Sequence, residues 1–146
     1  MMKIEEIAKK ITDNTPFHLK TDLTKATGRE DAIGLRLSCK VTDIPSCEQL
    51  SVPNEEQLNL AMEQLDEFSH SEMKKIFFNR YAFMTFAYGY DEVKNEILFT
   101  FVLMNREKEK HKIKDVTNRL YNSETQKPSY DRRFFSCRLS QKKLYL

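Results

Sequence analysis

Two stretches of this sequence, Tyr81 to Tyr88 and Ile97 to Met104, are apolar or aromatic on both faces that a β-strand presents, with only Gly89 to Asn95 between them. A strand that is apolar on both sides has to be covered on both sides. A short connection between two such strands predicts an antiparallel hairpin. The pattern therefore predicts a central hairpin, with Gly89 to Asn95 as its loop and layers of structure packed above and below.

The rest of the chain supplies elements of the right kind. Ile4, Ile7, Ala8 and Ile11 fall at helical spacing over Lys3 to Asp13, and Asn14-Thr15-Pro16 reads as the stop. Phe17 to Leu23 alternates, Thr24 to Asp31 reads as a loop, and Ile33 to Thr42 is the cleanest strand pattern in the chain. Ile33, Leu35, Leu37, Cys39 and Val41 form its buried face, and Gly34, Arg36, Ser38, Lys40 and Thr42 its wet one. After an irregular stretch from Asp43 to Pro53, Asn54 and Gln57 have the spacing of a capping box. Leu58, Ala61, Met62, Leu65 and Phe68 then form an apolar helical stripe. Ser71 is placed to cap a separate, shorter helix carrying Met73, Ile76 and Phe77. Lys112 to Tyr121 carries Ile113, Val116 and Leu120 on one helical face, and Arg133 to Leu139 returns to strand-like alternation.

The predicted order is α-β-β-α-α-β-β-α-β. Hairpin connections with helices between the pairs predict an α+β fold with a mostly antiparallel sheet of about five strands, partly covered by helices. At 146 residues, residues 1–146 are read as one domain with a basic C-terminal segment at 105–146. Apolar residues at 40% and aromatics at 11% supply the core, and charged residues at 32% a solvated surface. The amino terminus lacks the apolar region of a secretory signal, and the longest apolar run is Ile97 to Met104, far below the roughly 20 residues that span a bilayer. Cys39, Cys47 and Cys137 form an odd set without paired spacing, which predicts reduced thiols and a cytoplasmic setting.

The inventory argues against several chemistries. Gly28, Gly34 and Gly89 are isolated, so no glycine-rich phosphate cradle is written here, and no cofactor is expected. His18, His70 and His111 lie far apart, and seven residues separate Cys39 from Cys47, unlike the close ligand pairs of a zinc site. Cys39 and Cys137 fall on buried faces, which leaves Cys47 as the thiol to test. An enzyme with an unrecognised site would need His18, His70, His111 or Cys47 to converge with carboxylates.

Arg80-Tyr81-Ala82-Phe83-Met84-Thr85-Phe86 resembles in part the third-strand aromatic motif of RNA-recognition domains. The likeness covers one strand. The segment lacks the glycine after the basic residue, a partner motif upstream and the helix that follows in that family. Phe83 and Phe86 are instead read as core on opposite faces.

Charge is unevenly spread. Residues 1–104 hold 12 Lys+Arg and 17 Asp+Glu, a balance of -5, while residues 105–146 hold 12 and 5, a balance of +7. From Asp43 to Glu72 there are eight carboxylates and no Lys or Arg. Three readings compete. The basic segment and the acidic helix can pair within one molecule, as exposed pairs of small worth. The acidic face, comprising Glu55, Glu56, Glu63, Asp66 and Glu67, can bind a protein partner. The basic segment, with Lys108, Lys110, Lys112, Arg132, Arg133 and Lys142, can bind nucleic-acid phosphates. The expectation is a non-catalytic interaction or regulatory module, protein-directed first and nucleic-acid-directed second, with no membrane partner.

Overall fold

The computed structural model describes residues 3–77, 81–105 and 113–124. Its elements are helix α1 (Ile4–Asn14), strand β1 (His18–Asp22), a 3-10 turn (Thr24–Thr27), strand β2 (Ala32–Lys40), a second 3-10 turn (Val41–Asp43), helix α2 (Glu55–Phe77), strands β3 (Tyr81–Asp91) and β4 (Glu96–Asn105), and helix α3 (Ile113–Glu124). The four strands form one antiparallel sheet in the order β1-β2-β4-β3, so the fold is α+β. The expected strand at Arg133 to Leu139 lies outside the described residues.

One face of the sheet packs against α1 and α2. Ile7 and Ile11 of α1 join Ala61, Met62, Leu65, Met73 and Phe77 of α2 over Ile33, Leu35, Leu37 and Cys39 of β2 and Ile97, Phe99, Phe101 and Leu103 of β4. Ring contacts bind these layers. Phe17 meets Phe99 edge-on at 5.0 Å and Phe68 at 5.6 Å, and Phe77 lies 5.5 Å from Phe101. The other face is covered at one end by α3, whose Ile113, Val116 and Leu120 pack on Ala32, Ala82, Met84, Val102 and Met104.

Several expectations are revised. The shorter helix after Ser71 is not separate: α2 runs unbroken for 23 residues, because Met73, Ile76 and Phe77 continue the inward stripe of Met62, Leu65 and Ser69 without a change of phase. The loop between the hairpin strands is shorter than Gly89 to Asn95, since β3 extends to Asp91 after a bulge at Ala87/Gly89. Among the described strands, β4 alone of the two hairpin strands has a neighbour on each side. β3 ends the order of described strands, yet residues 82–89 are all buried. The second face of β2 is wet only in part: Lys40 is exposed and Arg36 half-buried, whereas Ala32, Gly34 and Ser38 are buried there. At Gly34 the cause is close packing, since an added Cβ would sit 2.9 Å from Cδ1 of Leu120. Alternation in β1 buries nothing: all five residues are exposed, with a register shift between Leu19 and Thr21. The capping box is present as expected, with Asn54 N donating to Gln57 Oε1 at 3.0 Å and Gln57 N to Asn54 Oδ1 at 2.8 Å.

Candidate protein-binding face

α2 carries two kinds of side chain on two sides. Residues three and four apart lie over one another on a helix, so Glu56, Leu60, Glu63 and Glu67 form one outward stripe, opposite Ala61, Leu65 and Met73. All four are exposed. Leu60 keeps 56% of its surface in solvent and is one of four large hydrophobic side chains so placed among the described residues, with Leu19, Val52 and Val93. Glu55, also exposed, begins the helix. Among the described residues none of Glu55, Glu56, Glu63 and Glu67 forms an ion pair, the three such pairs being Lys20–Glu96, Arg29–Asp31 and Lys75–Glu72.

Asp66 stands apart from this stripe, one residue and therefore about 100° round the helix from Glu67. It is half-buried, and its Oδ1 accepts a hydrogen bond from Ala87 N at 2.9 Å. Beside it Ser69 Oγ bonds Thr85 Oγ1 at 2.7 Å inside the core. Asp66 thus belongs to the joint between α2 and β3. It satisfies an amide of β3 at the bulge, where the ladder to β4 is interrupted.

The two described histidines that an undetected active site would need lie apart. His18 lies on β1 and is exposed, at one end of the strand order. His70 lies on α2, half-buried, with its ring stacked 5.0 Å from Phe83 of β3 at the other end. Three inter-strand steps of roughly 4.8 Å each keep β1 and β3 apart. Cys47 is 4% exposed and its thiol is pushed up by burial first and by Glu48 second. Cys39 is wholly buried, and burial, with Asp43 and Glu96 nearby, pushes its thiol up to about 12. Both thiols therefore stay protonated and weakly nucleophilic at neutral pH. Among the described residues no three of His, Cys, Asp and Glu are grouped to hold a metal. Phe83 is in the core under α2 and Phe86 is 1% exposed, so neither phenylalanine ring of this strand is free to stack a base.

The basic candidates Lys108, Lys110, Lys112, Arg132, Arg133 and Lys142, together with His111 and Cys137, lie outside the described residues. Among the described residues no helix is long and apolar enough to cross a membrane. Leu60 is the member of the stripe that sequence reasoning passed over. Its signal was legible, because it falls outside the apolar positions 58, 61, 62, 65 and 68 and among the acidic ones. No protein-family model, curated protein or solved structure matches this chain, so the α2 face is read from its own chemistry.

Proposed function

We propose that this chain is a non-catalytic interaction module of regulatory or accessory type, and that its partner is a protein docking on the outward stripe of α2. The supporting observation is Leu60, an exposed apolar side chain set among Glu56, Glu63 and Glu67. Interfaces commonly place an apolar anchor at the centre of a polar rim. A complementary partner surface offers an apolar pocket for Leu60 and Lys or Arg side chains for the surrounding carboxylates, which steer the encounter. Glu55 extends the acidic field at the helix start. The two buried, free thiols agree with a reducing compartment such as the cytoplasm.

The test is capture from nuclease-treated lysate at low and high salt, with three baits: the wild-type chain, Leu60→Asp, and Glu63→Lys/Glu67→Lys. The expected result is a protein retained by the wild-type chain after nuclease treatment and lost by both variants, with their thermal melts unchanged. Capture that survives both variants would remove the α2 face from the account. Capture that vanishes with nuclease would transfer the function to the basic segment at 105–146.

A further inference from the structure

A second, independent feature lies at the opposite side of the sheet from α2. A cavity of about 330 Å³ opens between the Thr24–Thr27 turn and α3, lined by Thr27, Gly28, Arg29, Asp115, Val116 and Arg119. Its walls are held by specific bonds. Thr27 Oγ1 donates to Thr24 O at 2.7 Å and accepts from Arg29 N at 3.2 Å, which shapes the turn. Gly28 follows in the left-handed region at φ +68, where a Cβ would also collide with Arg119 Nη1. Arg119 Nη1 donates to Thr27 O at 3.1 Å and so anchors the guanidinium at the mouth.

The charges on this wall are complementary but not spent on each other. Asp115 and Arg119 are one helical turn apart on α3, a spacing at which opposite charges commonly pair. Among the described residues neither takes part in an ion pair. Thr27 engages one of the five N–H donors of Arg119, and among the described residues no other acceptor takes the rest. Arg29 adds a second guanidinium to the wall. It is held in place by Asp31, bonded through Nε and Nη2 at 2.8 Å each. Val116 gives the lining an apolar element between the charges.

We propose that this cavity is a binding site for a small zwitterion of the amino-acid class. The ligand carboxylate meets Arg119, with Arg29 beside it, the ligand ammonium meets Asp115, and an aliphatic side chain lies toward Val116. The volume stands at the low end of the 300–1,000 Å³ usual for small-molecule sites, and a free amino acid fits within it. A carboxylate and a guanidinium one turn apart select a ligand carrying both charges over one carrying either alone.

The experiment is calorimetric titration of the full chain with L-leucine, leucine methyl ester, N-acetyl-leucine and inorganic phosphate. L-Leucine is expected to bind, and the ester and the N-acetyl compound, each missing one charge, to bind at least roughly tenfold more weakly. Arg119→Ala and Asp115→Asn should each lower leucine affinity by a similar factor while the melting temperature without ligand moves little. No heat with leucine at 10-millimolar excess, as an order of magnitude, would overturn the site. So would N-acetyl-leucine or phosphate binding as tightly as leucine, which would make it a plain anion site. Loss of the α2 face leaves this outcome untouched, and the reverse holds.

Discussion

The inner and outer sides of α2 are built from one composition and do opposite things. Inward, Ala61, Met62, Leu65, Met73 and Phe77 are buried against the sheet, and the half-buried carboxylate of Asp66 is committed to an amide of β3. Outward, Glu56, Glu63 and Glu67 surround an exposed Leu60 and find no ion-pair partner among the described residues. A rotation of about 100° between adjacent residues therefore separates a structural acid from a free one. Carboxylate content alone identifies an acidic helix, whereas the hydrogen-bond partner decides which acids are available to another molecule.

That contrast can be broken from the inside first. Phe101, fully buried and 5.5 Å from Phe77, carries the contact between β4 and the end of α2. Phe101→Ala should cost on the order of 3–5 kcal/mol in denaturant unfolding, and a loss under about 0.5 kcal/mol would mean that the layer is not packed as described. Asp66→Ala leaves the Ala87 amide unpaired in a half-buried joint and should cost roughly 1–3 kcal/mol. The same truncation at Glu63 or Glu67 should stay within about 0.5 kcal/mol, so equal costs at the three sites would erase the inner-outer distinction.

Cys39 sharpens the comparison through pH. Its thiol is raised from 9.0 to about 12 in the folded chain by burial, then by Asp43 and Glu96. Above pH 9 the unfolded chain loses this proton while the folded chain keeps it, so stability falls as pH rises between about 9 and 12. At about pH 10 the loss should be on the order of 1 kcal/mol relative to neutral pH, and Cys39→Ala should remove that part of the slope. An unchanged slope in the variant would place the titration elsewhere. The start of α2 offers a smaller test, since Asn54→Ala breaks the reciprocal bonds with Gln57 and should cost about 1 kcal/mol.

Much of the fold was legible in the residues because it rests on local periodicity. The alternation from Ile33 to Val41 marked a strand with one apolar face, and Asn54 with Gln57 marked the start of α2. The features that misled were those decided by distant partners. Ser71 has the chemistry of a cap, but its neighbours Met73, Ile76 and Phe77 remain in phase with the preceding stripe, so packing continues the helix through it. Lys20 of the exposed strand β1 reaches the 5%-exposed Glu96 of β4 at 3.3 Å, an ion pair that alternation in either strand does not announce. Asp66 reads as surface charge until β3 is laid beside it. The outward stripe of α2 was visible as charge, while Leu60 within it required the helix to be turned and its inner side assigned. The cavity wall could not be read at all: Arg119 and Thr27 are 92 residues apart, and only the docking of α3 against the first 3-10 turn brings them together.

Carbodiimide labelling of surface carboxylates, read residue by residue with and without the captured protein partner, tests the central claim most directly. The account expects Glu56, Glu63 and Glu67 to label readily in the free chain and to be protected in the complex, while Asp66 labels slowly in both. Equal labelling of Glu56, Glu63 and Glu67 in the free and bound states would contradict it and move the interface away from α2.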